Sequence, residues 1–409
     1  MKAWKSLALT LLVSSTSWAT NQSIFEEKIY YQYQDKILNS PKSAPHAAFA
    51  PFEQKLYVDA LWDLVEDEEP RALKALSKLD MIHYELAERL RIGILQVQSK
   101  VKHSLSPQLI KELSNHLLLP QPETKVIYLV ASYQDLLNKA GHKDIVGLAS
   151  QFEEFHNLKR QSIRSKSDIE RIAIDLFYNS PNISYYQNGK YEGGVKLFMF
   201  CRQNRNYPCL FAMRDANDNV VRNKDGSIWT QRSLAQSARK LPYNVRNGYT
   251  PTGVWTIDGV MPYADQTISF GRFRRMIINF IPKTNNESAL KSLIPESSHD
   301  ENWWKQSIVA RDVGRNLFRI HGTGKTNPDP KSTFYPFRET SGCISQRENV
   351  HDGYDWIDQR KLLDKIMVAQ GHKATYANET KIKGILYFME IDNKNAPVEK
   401  SDLAKLGIK

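Results

Sequence analysis

Two short stretches of this 409-residue chain hold residue types that could build a thiolate nucleophile. Ile320-His321-Gly322-Thr323 supplies an imidazole, and Thr340-Ser341-Gly342-Cys343-Ile344-Ser345 supplies a thiol one loop later. A thiol with an ordinary pKa of about 8.5 is only a few per cent thiolate at neutral pH. A neighbouring imidazole raises that fraction and can later protonate a leaving amine. Gly342 would let a substrate approach the backbone closely, and the N–H groups of Gly342 and Cys343 could face an acyl oxygen. That chemistry is acyl transfer through a thioester and needs neither metal nor cofactor. The alternative is a buried structural cysteine beside a turn.

The start of the chain bears on the thiol. Lys2 and Lys5, the apolar run Ser6 to Val13 and the small-x-small segment Ser17-Trp18-Ala19 read as an export signal over residues 1–19, with a mature start at Thr20. No cysteine follows that point closely enough for a lipid anchor, and no later apolar run is long enough to span a bilayer. The expected location is the periplasm, where a free thiol is normally oxidised or paired. There are three cysteines. Cys201 and Cys209 flank a polar turn between two apolar runs, and a hairpin centred near Arg205 would set them opposite each other within disulfide range. Two reduced structural thiols are the alternative. A bridge there leaves Cys343 single, and catalysis is the leading reason for an exported single thiol.

The net charge of +11, from 56 basic and 45 acidic residues, favours anionic surroundings such as cell-wall polymer, carboxylate-bearing peptides or a membrane face. Export argues against nucleic acid. A hydrophobic content of 41% in a chain of this length can fill the cores of two or three domains.

The elements that must position the imidazole and thiol divide in two. Residues 20–180 show helical spacing, as in Leu56, Ala60, Leu61 and Leu64, or Leu86, Leu90, Ile92 and Leu95. Breaks at Ser40-Pro41, Glu69-Pro70, Ser104 to Pro107, Pro120 to Pro122 and Gly141 give about seven helices. A turn-rich junction follows, and residues 181–392 carry short strand-like runs: Val195 to Phe200, Leu210 to Arg214, Val254 to Ile257, Met276 to Ile281, Leu317 to His321 and Ile385 to Met389. These predict a mostly antiparallel sandwich or barrel, interrupted by helices near Glu287 to Leu293 and Ile357 to Gln370. A polar tail is expected over 393–409. The expected fold class is α+β and multidomain.

The pairing of Ile-His-Gly-Thr with a later Thr-Ser-Gly-Cys-Ile, preceded by Tyr249-Thr250-Pro251-Thr252-Gly253-Val254-Trp255-Thr256-Ile257, resembles the YkuD-type L,D-transpeptidase domain. The resemblance covers about Gly194 to Ile391. It implies a β-sandwich-like catalytic domain and a cysteine acyltransferase acting on peptidoglycan stem peptides in cell-wall biogenesis and the control of cell shape. Cys343 would attack the bond between diaminopimelate and the terminal D-alanine of a tetrapeptide. The thioester would then pass to a diaminopimelate amine, a D-amino acid or a lysine of an envelope lipoprotein. His321 would be the general base and acid, with the Gly322 carbonyl orienting it. Gly342 and Cys343 would form the oxyanion hole.

The chain departs from the family at two positions: Ser341 replaces a histidine, and Ser345 replaces an arginine or asparagine. A hydroxyl at Ser341 replaces a hydrogen bond but not a positive charge. Arg347 and Arg338 are candidates to bind a substrate carboxylate, and Tyr335 is a further substrate-binding candidate. The same substitution is similar to the YafK-like amidases that hydrolyse a peptidoglycan–lipoprotein link. An L,D-carboxypeptidase or amidase is therefore one alternative, and an inactive wall-binding scaffold another. Trp303-Trp304 reads either as a lid or as a core anchor, and Arg272, Arg274 and Arg275 either as a stem-peptide contact or as a solvated edge. Gly322 to Thr326 lacks the first glycine of a phosphate-binding loop, since Arg319 stands there. No spacing suggests a metal site.

Overall fold

The computed structural model describes residues 17–39, 50–158, 166–281 and 287–409. Most of the expected export signal, residues 1–16, and the Ser40-Pro41 break lie outside the described residues. Helix α1 (Ser17–Asn39) runs through the expected cleavage point at Ala19.

Nine more helices follow before the sheet: α2 (Pro51–Glu66), α3 (Pro70–Lys78), α4 (Leu86–Gln98), α5 (Pro107–Leu117), α6 (Thr124–Ser132), α7 (Gln134–Lys139), α8 (Lys143–Ala149), α9 (Glu153–Asn157) and α10 (Lys166–Asn179). Pro70 and Pro107 occupy first-turn positions, where a missing N–H costs nothing, and Ser106 accepts a hydrogen bond from the Leu109 N–H. Among the described residues ten helices stand where about seven were expected, because the short α7 to α9 are separated by minimal caps. Tyr133 alone closes α6 and opens α7. Leu56, Leu61, Leu90 and Leu95 are buried in one core with Val126 to Ala131 and with Val309 and Val313 from a later helix.

The rest is a large, mostly antiparallel sheet with helices around it. Its strands are β1 (Val195–Arg202), β2 (Cys209–Arg214), β3 (Gln231–Ser233), β4 (Gly253–Val260), β5 (Met276–Phe280), β6 (Arg319–His321), β7 (Ile344–Ser345) and β10 (Gly384–Asp392). A separate hairpin joins β8 (Glu348–His351) to β9 (Tyr354–Ile357). The order is β3-β2-β1-β10-β4-β5-β6-β7, with β1–β10 and β6–β7 parallel. Just past β3, Leu234 exchanges both backbone hydrogen bonds with Ser345 of β7, at 3.0 and 2.8 Å. The two edges therefore meet, giving one nearly closed sheet rather than the two stacked sheets of a sandwich; closure leaves few unpaired edge groups.

The central strands are buried on both faces, which is why β1 is mostly apolar and its two charged residues, Lys196 and Arg202, are buried against Asp218 and against Asp392 and Asp402. Val195, Leu197, Met199 and Cys201 pack with α14 (Asp358–Ala369). Phe198 and Phe200 pack with α10 and with the chain end. Between β4 and β6 lie α11 (Thr267–Phe270), α12 (Ser288–Lys291) and α13 (Lys305–Asp312), the last supplying Val309 to the helical core.

The expected polar tail is docked instead. Helix α15 (Lys400–Lys405) carries a capping box of Glu399 and Asp402, and Val398, Leu403, Leu406 and Ile408 are buried. Four spaced apolar residues among many charges are enough to anchor it. Trp303 and Trp304 are both fully buried, with the Trp304 indole N–H donating to the Ser298 carbonyl at 2.8 Å. They are core anchors, not a lid. Among the described residues no helix is long and apolar enough to cross a membrane.

Candidate active site

The imidazole and the thiol arrive on adjacent parallel strands. Ile320 of β6 pairs with Ile344 of β7, and His321 pairs with Ser345. Cys343 stands immediately before β7, so continuing the register sets it opposite Arg319. Cross-strand partners, and residues two apart on one strand, share a face. Arg319, His321 and Cys343 therefore share one. In β5, Met276 pairs with Ile320 and Ile277 with Arg319, which puts Arg275 on that face as well.

All four residues line a cavity of about 720 Å³, a volume within the range of small-ligand sites. Its opposite wall comes from the helical half, through Glu27 and Tyr31 of α1 and Asp63 of α2. Cys343 is a free, half-buried cysteine, whereas Cys201 and Cys209 are joined in a disulfide with their Cα atoms 4.3 Å apart. The β1–β2 pairing of Phe200 with Leu210 places that bridge at the end of the hairpin.

His321 is buried, and its Nδ1 contacts the carbonyl oxygen of Gly322. A carbonyl can only accept, so Nδ1 carries the proton and Nε2 holds the lone pair. Nε2 is buried and has no hydrogen-bond partner among the described residues. Burial pushes the imidazole pKa down to about 4; the Gly322 carbonyl opposes that, while the Arg275 and Arg319 guanidiniums add to it. The Phe270 ring stands edge-on, 5.0 Å away. Burial likewise pushes the Cys343 thiol up, against the Arg319 backbone N–H and the Arg319 and Arg275 charges, while Glu27 pushes it further. At rest both partners are neutral.

The turn before the thiol is fixed from beneath. Gly342 has φ +109°, and a Cβ there would run into the Arg315 guanidinium and lie 2.8 Å from the Gly248 carbonyl oxygen. Thr250 donates its hydroxyl to the Gly342 carbonyl at 2.8 Å, and Thr340 donates to the Cys343 carbonyl at 2.6 Å. Arg315 is buried and donates to the carbonyls of Tyr243, Gly248 and Tyr249. Its pKa is pushed down to about 9 by burial, with Arg246 adding to the fall. Arg246 in turn clasps Asp63 of α2 at 2.6 Å, so the helical half holds the loop on which the nucleophile turn rests. The Thr-Pro-Thr-Gly segment locks into α13 and its approach, where Thr252 donates its hydroxyl to the Trp303 carbonyl and its backbone N–H to Gln306 Oε1.

The expected site residues separate. Ser341 is exposed and Arg338 half-buried at the cavity rim, where among the described residues Arg338 has only Glu339, 3.9 Å away, for an ionic partner. Ser345 is buried, its hydroxyl donating to the Arg338 carbonyl at 2.7 Å. Arg347 is not at the cavity. Asp358 holds it at 2.6 Å and it lies 3.6 Å over the Trp356 ring, because the β8–β9 hairpin and the start of α14 capture the chain just after β7. Tyr335 is also outside the lining, packed against the His351 ring. Gly342 is a poor oxyanion donor, since its N–H already points to the Thr340 hydroxyl at 3.3 Å.

The Arg272 to Arg275 cluster is not a solvated edge throughout. Arg274 and Arg275 are buried, and Arg275 faces the cavity. Sequence reasoning missed Glu27, Arg315 and Arg319. No local pattern marks them, because their partners lie far away in the chain. Among the described residues no group of histidine, cysteine and carboxylate side chains could hold a metal ion. Compared with known proteins, the chain matches no family model, no curated protein and no solved structure.

Proposed function

We propose that this chain is an exported cysteine L,D-transpeptidase of peptidoglycan, with a helical domain over residues 20–180 and a catalytic domain over 181–392. The observation that carries the reading is the buried, partnerless Nε2 of His321 in one cavity with the free thiol of Cys343. A structural histidine would have its second nitrogen satisfied. A general base needs its lone pair free for the proton it takes, and because the resting thiol contacts the Leu317 carbonyl, 3.9 Å away, it would turn toward Nε2 as substrate enters.

Because imidazole and thiol are both neutral at rest, proton transfer accompanies attack. The Cys343 sulfur bonds to the carbonyl carbon of diaminopimelate while its proton passes to His321 Nε2. The oxyanion falls to the Cys343 N–H, because that of Gly342 is engaged. The carbon–nitrogen bond then breaks, His321 returns the proton to the leaving amine, and D-alanine departs. An acceptor amine attacks the thioester, gives its proton to His321 and regenerates the thiol. The Gly322 carbonyl stabilises the imidazolium formed at each step. Arg338, whose ionic partner is Glu339 at 3.9 Å and which lines the same cavity as exposed Ser341, would bind a stem-peptide carboxylate. The acceptor is a second stem, a free D-amino acid or a lysine of an envelope lipoprotein.

A carbapenem, which mimics the D-alanyl substrate of the resembling family, tests the reading. Intact-mass analysis should find one carbapenem on the wild-type chain and none on Cys343→Ala. An unmodified wild-type chain after long incubation would contradict it.

A further inference from the structure

Glu27 of α1 projects onto the sheet face that bears the thiol, and two buried guanidiniums close on it. Glu27 Oε1 lies 2.6 Å from Arg275 Nη1, and Oε2 lies 3.0 Å from Arg319 Nη2. Arg319 opens β6 and Arg275 stands one residue before the neighbouring β5, and both are almost completely buried. Each retains a buried Nε with no hydrogen-bond partner. Among the described residues Glu27 is the only carboxylate paired with Arg319, whereas Arg275 also reaches exposed Asp265.

Two guanidiniums facing the two oxygens of one carboxylate, with donors still unspent, form a receptor for a carboxylate. Its position is informative. Arg319 stands opposite Cys343 in the β6–β7 register and two residues before His321, and Arg275 stands opposite His321. A peptide whose carbonyl meets the thiol carries its terminal carboxylate only one residue further on. A purely structural ion triplet would have no reason to line the same cavity as the nucleophile. Buried ion pairs also contribute little net stability compared with apolar packing.

We propose that Arg275 and Arg319 are the carboxylate subsite of the cavity, and that Glu27 occupies it in the resting chain as an internal stand-in for the terminal carboxylate of a peptide substrate. The identity of that peptide rests on the function proposed above; the subsite itself does not. Substrate carboxylate displaces Glu27, and α1 is the wall that yields.

The test compares alkylation of Cys343 in the full chain by iodoacetate, which carries a carboxylate, and by neutral iodoacetamide, each followed by mass at that residue. In Glu27→Gln the iodoacetate-to-iodoacetamide rate ratio should rise at least about tenfold over wild type, as vacating charge-assisted hydrogen bonds to two guanidiniums implies. In Glu27→Gln/Arg319→Gln the rise should disappear. Should Glu27→Gln fail to fold, Glu27→Asp, which keeps the charge but draws the carboxylate back from the two guanidiniums, should give a smaller rise in the same direction. An unchanged ratio with both reagents reacting overturns the subsite and leaves the catalytic reading intact. A rise that persists in the double variant also overturns it, because loss of one negative charge would then suffice. If neither reagent modifies Cys343, the thiol is inaccessible and both proposals fail.

Discussion

His321 donates a hydrogen bond from Nδ1–H to the carbonyl of Gly322, the next residue along, and this contact leaves the lone pair of the buried imidazole at Nε2. Buried against two arginines, the ring stays neutral down to about pH 4. The acid limb of kcat/KM should therefore have its midpoint near 4 rather than near 6.5, and activity at pH 5.5 should equal that at pH 7. The ring also links stability to pH. The unfolded chain binds a proton at this position below about pH 6.5, which the folded chain refuses until about 4, so stability is complete above that window and falls as pH drops through it. Denaturant melts should show a loss of about 3 kcal/mol between pH 7 and 4 that is absent in His321→Gln.

The turn at Gly342 admits no side chain. With φ +109° and the Arg315 guanidinium and Gly248 carbonyl where a Cβ would stand, Gly342→Ala should destabilise the fold by about 2 kcal/mol or more. Thermal denaturation measures that. Because Thr250 and Arg315 position the same turn, the variant should also lose most of its reactivity at Cys343, read as the rate of iodoacetamide labelling.

The Cys201–Cys209 bridge closes a short loop at the end of the β1–β2 hairpin, with Cys209 paired to Ser233 of β3 beside the point where Leu234 meets Ser345 of β7. Replacing both with serine should cost about 2–3 kcal/mol, from loop-closure entropy in the unfolded chain. The labelling rate of Cys343 at 20 °C should change less than about twofold, since neither sulfur lines the cavity. A parallel loss of thiol reactivity would mean that the two regions are coupled.

The strands and the thiol–imidazole pair were legible in sequence because their signals are local. Val195 to Phe200, apolar except for Lys196, which is buried against Asp218, and Ile385 to Met389 show no in–out alternation, as suits strands buried on both faces. What stayed hidden was long-range. Nothing near Val195 announces that β1 pairs in parallel with β10, nearly the whole sheet domain later, and nothing near Leu234 announces that it closes the sheet against Ser345. Arg347 looked like a cavity residue by its distance in sequence from Cys343, yet a hairpin formed after β7 takes it to Asp358 and Trp356. Glu27 sits in an ordinary charged helical stretch, and its pairing with Arg275 and Arg319 exists only once α1 lies on the sheet. Burial of Trp303 and Trp304 is equally a tertiary fact, since a tryptophan pair after a polar loop suits a lid and a core alike.

The central claim, acyl transfer from Cys343, is tested most directly by mass analysis of tetrapeptide muropeptides incubated with the purified full chain and with Cys343→Ala. The account predicts loss of D-alanine and either crosslinked dimers or D-amino-acid exchange with the wild-type chain, and none of these products with the variant; tripeptides alone would make the enzyme a hydrolase on the same site. Identical product profiles from wild type and Cys343→Ala would contradict the claim.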